Sequence, residues 1–276
     1  LIVDNDVQPT RQLQNVAMLD YQSTPVFVDG QTRRSMSSAV ASVVVSAPTL
    51  VKLAVDTSQP DTRMEQGDPT LLDLTIGETV TYQLTLVFPE GITPDAVLID
   101  ELPASANGVV ELIGANVVSV GGNISTSLPG TPQFLDLRLG DGLSDTARLE
   151  FGTVTNRPDG AVTAADRIVV EIVGRVVDVS ANQAGQVLTN LALFTTPLGD
   201  LADTADIEVV SPELALQKNM VLGNDGLVRI SIQLENTGTA PAYDIEITDI
   251  LDDADWLVSS LTQVSVSTGF GLNVQA

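Results

Sequence analysis

The chain has 276 residues, of which 43% are hydrophobic but only 4% are aromatic, so its core must be built from aliphatic side chains. Lys and Arg number 12 against 36 Asp and Glu, and this net charge of −24 argues against nucleic acid as a partner. The lack of cysteine and histidine excludes disulfides, thiol nucleophiles and Ser-His-Asp catalysis. We therefore expect a protein that is not an enzyme, although a hydrolase that uses carboxylates alone stays open.

No signal peptide is visible in the sequence. No apolar run approaches the roughly 20 residues of a membrane span, and the first residue is Leu1 rather than Met. We expect this start to be a processed or internal point of a longer polypeptide, with no membrane insertion in this segment.

Short motifs recur along the chain in the same order. LQNVAM at Leu13 to Met18 corresponds to LTNLAL at Leu188 to Leu193, and each is followed by a strand pattern that ends in Pro. The recurrence predicts a repeat array that is cut by the window of this chain. Residues 1–47 would be the C-terminal part of one repeat, 48–211 a complete repeat and 212–276 the N-terminal part of a third.

Strand patterns dominate the sequence. Alternating Val, Ile, Leu and Thr, punctuated by Gly, Pro, Asn and Asp, predict many short strands, and no helical period is visible. The fold class that we expect is all-β, with tandem immunoglobulin-like antiparallel β-sandwich repeats. A repeat of this length exceeds a plain sandwich, so we expect an insertion at about 104–147; paired subdomains are the alternative. Two of the predicted strands are Phe134–Leu139 and Asp244–Thr248.

A distinctive motif lies in the third repeat, VRISIQLENTGTAPAYDIEITDIL. Its Asn-Thr-Gly-Thr suits a turn with positive φ and a capping Asn side chain. The segment resembles the conserved surface-repeat family of bacteria and archaea. The middle repeat matches the same pattern in part, with Phe-Pro-Glu-Gly in place of the Asn-Thr-Gly turn. The matching positions are Asn236, Gly238, Ala240, Asp249 and Leu251 in the third repeat, and Tyr82, Asp100, Leu102 and Pro103 in the middle one.

The resemblance implies a function at the cell surface. It predicts a structural or adhesive segment of a large exported bacterial surface or fibre protein, acting as a stiff spacer or filament component, outside the cell or on its surface. Its partners would be neighbouring repeats or other copies of the same protein. The alternative is an adhesin module that binds a glycan or a protein through residues 104–147.

Only two lysines occur in the chain, Lys52 and Lys218, and both stand at the start of a predicted repeat. The simple interpretation is that they protect strand edges from aggregation. The tail of the middle repeat, GQVLTNLALF at residues 185–194, also resembles fimbrial domains. Those domains join a lysine on the first strand to an asparagine on the last strand, beside an acidic residue. This resemblance predicts an isopeptide bond between Lys52 and Asn190, assisted by Asp100, with Glu78 or Glu101 as other acids. The equivalent residues of the flanking repeats would be Asn15, Lys218 and Asp249.

An acidic cluster follows Lys52. Calcium needs several oxygen ligands that converge on one point, but the spacing here matches no known loop. A solvated acidic surface is the alternative, so we expect no cofactor and leave calcium open. The calcium candidates are Asp56, Asp61, Glu65 and Asp68.

Overall fold

The computed structural model describes residues 6–22, 33–59, 62 and 71–250. The chain divides into two compact units, Leu1–Pro241 and Ala242–Ala276. All 18 strands described lie in the first unit. In chain order they are β1 (Gln12–Asn15), β2 (Met18–Tyr21), β3 (Arg34–Ser37), β4 (Ala41–Val44), β5 (Thr49–Thr57), β6 (Leu72–Leu74), β7 (Thr79–Val87), β8 (Gly91–Glu101), β9 (Ala104–Ser105), β10 (Gly108–Val120), β11 (Ile124–Thr126), β12 (Pro132–Leu135), β13 (Thr146–Asn156), β14 (Arg167–Val176), β15 (Val187–Thr196), β16 (Gly199–Val209), β17 (Leu214–Leu222) and β18 (Val228–Asn236).

Two sheets face each other and form the main β-sandwich. One has five strands in the order β5-β7-β14-β10-β9. The other has seven, in which β11 and β12 both pair with β13, followed by β8, β15, β16 and β6. Among the strands that the structure describes, every pairing is antiparallel except the one between β6 and β16. The predicted all-β, antiparallel sandwich class is therefore confirmed.

The core between the sheets follows from strict alternation along the strands. In β7, TVTYQLTLV, the apolar side chains Val80, Tyr82, Leu84 and Leu86 are buried, while the Thr and Gln residues between them are partly exposed. Successive strand residues point to opposite faces, so this pattern builds one apolar face. From the other sheet, Phe194 meets Phe88 edge-on, with ring centroids 5.7 Å apart.

Three further sheets have two strands each: β1 with β4, β2 with β3, and β17 with β18. Two of the strand pairs have similar registers at the motifs that recur in the sequence. Asn15 lies opposite Ala41 in β1–β4, and Asn190 lies opposite Ala205 in β15–β16. The repeat boundaries themselves stay predictions.

Residues 104–147, predicted as an insertion, contribute strands to both sheets. β10 pairs with β14 along most of its length and so lies inside the five-stranded sheet. β11 and β12 pair with β13 in the other sheet. Removal of the whole range would therefore take an inner strand out of the sandwich.

Two predicted strands are wrong in whole or in part. β12 ends at Leu135, because the Asp145 carboxylate accepts the backbone N–H groups of Leu137 and Arg138 at 3.1 and 2.8 Å. Those amides are thus unavailable to a strand ladder. No strand forms at Asp244–Thr248, where Asp244 has a left-handed φ of 52° that interrupts extended backbone.

Candidate functional site

Lys52 is the one lysine of the described residues that points into the sandwich. It lies on β5, the outer strand of the five-stranded sheet, and only 2% of it is exposed. Its neighbours Val51 and Leu53 point the other way and are 46% and 57% exposed. At these three positions the strand turns apolar side chains outward and its lysine inward, between Leu50 and Ala54, which pack against the core.

Asp100 is the ion-pair partner of Lys52. It lies on β8 of the opposite sheet, is fully buried, and its Oδ2 forms an ion pair with Lys52 Nζ. Its other oxygen, Oδ1, has no hydrogen-bond partner among the residues that the structure describes. The alternative acids are engaged elsewhere. Glu78 binds Thr62 Oγ1 at 2.8 Å and the Thr75 N–H at 2.7 Å, and Glu101 lies 3.4 Å from Arg138.

Asn190 lies beside this pair. β15 is hydrogen-bonded to β8 with Ala192 opposite Asp100, and Asn190 lies two residues from Ala192 on the same face. Such diagonal neighbours on one sheet face are within reach of each other. Asn190 is fully buried and lowers the pKa of the Asp100 carboxyl, yet within the described ranges neither amide atom reaches hydrogen-bonding geometry. A buried amide without partners is costly, so this position calls for an explanation.

Burial shifts both ionisable groups towards their neutral forms. Desolvation lowers the pKa of Lys52, although Asp100 opposes that shift through its charge and its hydrogen bond. Desolvation likewise raises the pKa of Asp100, against the opposing effect of Lys52. A proton passed from Lys52 to Asp100 would leave a neutral amine and a carboxylic acid. These are the forms needed for nucleophilic attack and for proton donation.

Two further residues complete the site, and sequence reasoning gave neither of them a role in it. The Tyr82 ring lies 5.2 Å from Lys52 Nζ, and its hydroxyl has no partner within the described part of the chain. The Asp203 carboxylate accepts the backbone N–H of Lys52 at 2.8 Å. Tyr82 matched the surface-repeat motif but carried no chemical signal, and Asp203 is one aspartate among many.

The equivalent residues in the flanking segments are not part of this buried cluster. Asn15 is exposed on β1, and Lys218 is exposed on β17 opposite Ile232. Asp249 belongs to the second compact unit.

The acidic cluster gives no ion site among the described residues. Asp56 accepts the N–H of its neighbour Thr57 at 3.0 Å. Asp61, Glu65 and Asp68 lie outside the described residues. Over the ranges that are described, no group of three or more acidic side chains converges on a point where a metal could bind. Those same ranges contain no helix that is long and apolar enough to cross a membrane.

No protein-family model and no curated protein matches the chain. Among solved structures, the C-terminal domain of the Streptococcus agalactiae AgI/II polypeptide BspA aligns with 72% of this chain and 59% of its own, at 13% identity and a TM-score of 0.36. The major pilin subunit BcpA of Bacillus cereus gives 82%, 78%, 13% and 0.31 in the same order. The collagen-binding subdomain ACE19 of the Enterococcus faecalis surface protein ACE gives 58%, 95%, 12% and 0.29. This chain thus spans about three fifths of the BspA chain, and none of these similarities assigns it to a family.

Proposed function

We propose that this chain is a load-bearing repeat segment of an exported bacterial surface or fibre protein, and that its middle sandwich is locked by an amide bond between Lys52 and Asn190. The observation that carries the proposal is the buried cluster itself. A lysine, an aspartate and an asparagine meet between two sheets, and the asparagine amide has no hydrogen bond to any described residue. A cross-link would use the amide that the fold otherwise leaves unsatisfied.

The chemistry balances with the residues present. Neutral Lys52 Nζ attacks Cγ of Asn190 while protonated Asp100 donates a hydrogen bond to the carbonyl oxygen. Asp100 then passes a proton to Nδ2, which leaves as ammonia, and regains one from the attacking nitrogen. The C–Nδ2 bond breaks as the C–Nζ bond forms, with no oxidant and no cofactor. The Tyr82 ring and the apolar core keep water away from the tetrahedral centre.

The position of the bond suits a protein under tension. It would tie β5, the first strand of the sandwich, to β15, the next to last. The two strands belong to opposite sheets, so the link would hold the sandwich closed across its core. A chain without cysteine has no disulfide for this task. The alternative, an adhesin module that recognises a ligand through residues 104–147, stays a prediction.

Intact mass of the chain tests the bond. We expect the wild-type protein to be one ammonia lighter than its sequence, and Lys52→Ala to have its full sequence mass. Lys218→Ala is the matched control, because it removes the other lysine, which is exposed, and should keep the deficit. After denaturation and trypsin digestion, the bond should also join peptide 35–63 to peptide 176–218. An unshifted wild-type mass, with cleavage after Lys52, would exclude the cross-link.

A further inference from the structure

Four residues, 210–213, connect β16 of the sandwich to the β17–β18 hairpin, and we call the last three of them, 211–213, the linker. The connection is held at both ends. On the sandwich side, the N–H of Val210 donates to the carbonyl of Leu74 at 2.9 Å, and Val210 is fully buried. On the hairpin side, the linker contacts the turn that follows β18, residues 237–240, which we call the joint turn. The linker is therefore not a free hinge.

The joint turn binds the linker through backbone hydrogen bonds. The N–H groups of Thr239 and Ala240 donate to the Ser211 carbonyl at 3.0 and 3.2 Å. The N–H of Thr237 donates to the Glu213 carbonyl at 2.8 Å. Both linker residues that flank Pro212 thus have their carbonyls satisfied by the turn.

The Asn236 side chain joins the turn and the linker. Its Oδ1 accepts the N–H of Gly238 at 3.0 Å, which is the capping bond expected from the sequence, and also the N–H of Glu213 at 3.1 Å. Its Nδ2 donates to the Ala240 carbonyl at 2.8 Å. One amide side chain therefore shapes the turn and holds the incoming chain.

Gly238 is required by proximity rather than by backbone conformation. The sequence predicted a positive φ for this turn, but Gly238 is not in the left-handed region. A Cβ built on it would lie 2.3 Å from the nitrogen of Glu213 and 2.4 Å from the Ser211 carbonyl oxygen. No side chain fits between the turn and the linker, so the linker backbone packs directly on the glycine.

The middle sandwich shows a related contact at the start of β8, just after the turn that follows β7. The N–H of Ile92 donates to the Val7 carbonyl at 2.9 Å, and a Cβ on Gly91 would lie 2.0 Å from that oxygen. Val7 precedes the sandwich in the chain and is only 7% exposed. At both junctions, then, a glycine that follows a long strand, β18 or β7, contacts a carbonyl of the upstream chain, although Gly91, unlike Gly238, also has a positive φ of 111°.

We propose that this turn is the joint between repeats, a surface whose partner is the backbone of the chain arriving from the preceding repeat. The inference deepens the proposed function and rests on it, because a stiff spacer needs a fixed angle between its units as well as rigid units. The Asn-Thr-Gly-Thr segment, residues 236–239, then makes the contacts that hold the two repeats together. Its Gly keeps the surface open to an approaching carbonyl, and its Asn ties the linker to the turn.

Gly238→Ala tests the joint by hydrogen exchange and mass spectrometry on the 276-residue chain. We expect the amides of Glu213, Thr237 and Thr239 to exchange at least about tenfold faster than in the wild type, because the new methyl separates the turn from the linker. Exchange in β7 and β14 should not change. Gly122→Ala is the control, since Gly122 also lacks a positive φ and has open space around its Cβ position.

Unchanged exchange at those three amides in Gly238→Ala, or equal acceleration in Gly122→Ala, would overturn the joint. If β17 and β18 also lose protection, Thr239→Val decides, because it removes only the Oγ1 that accepts the Ser211 N–H at 3.3 Å. The joint then requires faster exchange of the Ser211 amide, and an unchanged rate contradicts it. The ammonia deficit is read in the same spectra, so failure of the cross-link and failure of the joint are separate results.

Discussion

Burial lowers the pKa of Lys52 and raises the pKa of Asp100, so each residue needs the other to keep its charge in the core. Desolvation disfavours the protonated, charged form of the lysine and the ionised form of the aspartate. Each partner opposes the shift of the other, so the loss of one leaves an uncompensated group in the core. Breaking a buried pair in this way is among the more damaging single changes.

Lys52→Met should make the stability of the sandwich fall as pH rises. Without Lys52, its charge and its hydrogen bond no longer lower the pKa of Asp100. Desolvation, together with the charge of Glu101, then raises that pKa against Asn190 alone. A carboxyl whose pKa is higher in the folded state stabilises that state below its unfolded pKa, and the stabilisation is lost as pH rises through the folded pKa. Urea unfolding at pH 4 and pH 7 measures the difference.

The double variant Lys52→Met with Asp100→Asn provides the reference for that experiment. It carries neither the lysine nor the buried aspartate, while Tyr82, Asp203 and the surface carboxylates are the same in both proteins. We expect the single variant to be about 3 kcal/mol less stable than the double variant at pH 7, with a smaller gap at pH 4. A gap that did not change with pH would contradict the buried, uncompensated carboxyl.

At the scale of the element, β5 is an edge strand protected by the opposite sheet. Its pairing partner is β7, and on its other side the N–H of Lys52 is bound by Asp203 from β16. An unpaired edge is a template for unwanted strand addition, and charged side chains are a common protection. The same carboxylate fixes the backbone of the residue whose side chain enters the core.

Asp203→Ala should lower the melting temperature by about 2–4 °C, because it leaves the Lys52 N–H without its acceptor at a cost of about 1 kcal/mol. Asp200→Ala is the matched control. It removes the same charge from the same strand at an exposed position, and it should leave the melting temperature nearly unchanged. Equal shifts in the two variants would show that the effect is one of net charge alone.

The strand pattern predicted the strands in which apolar side chains alternate and form a buried face. It failed where aspartate carboxylates bind the backbone N–H groups. The alternation of β7 and β15 was readable because one face is buried. Beyond Leu135, Asp136 accepts the N–H groups of Gly140 and Gly142, each at 2.8 Å, and Asp145 accepts two more amides. A propensity scale cannot indicate which backbone groups a distant aspartate will take.

On the scale of the whole molecule, rarity made the candidate site predictable. With two lysines in 276 residues, a lysine at the start of two predicted repeats stood out, whereas Asn15 and Asn190, two of twelve asparagines, were selected by their equivalent places at predicted repeat ends. Aspartate is too common here to be selected in that way, and Asp203 becomes visible only when β16 is placed beside β5. The sequence likewise could not show that Gly238 faces a linker carbonyl, because that contact depends on how the segments fold onto each other.

The melting temperature of Asn190→Ala decides between two opposite expectations for the sandwich. Without a cross-link, the Asn190 amide makes no hydrogen bond to any described residue, so its replacement by a methyl group should be nearly neutral or stabilising. With a cross-link, the substitution reopens a loop longer than about 100 residues, and chain-entropy scaling gives about 4.7 kcal/mol for that length. For a domain of this size, such a loss lowers the melting temperature by about 10–20 °C.

We expect the large decrease, measured by calorimetry on the wild type and the variant side by side. Asn15→Ala is the control, because Asn15 holds the equivalent register position in the β1–β4 hairpin but is exposed there. It should melt with the wild type and retain the ammonia deficit. The sign of the change in melting temperature distinguishes the two cases. If Asn190→Ala melts at or above the wild-type temperature, Asn190 is only an unsatisfied core amide. Lys52 and Asp100 then form an ion pair without a cross-link.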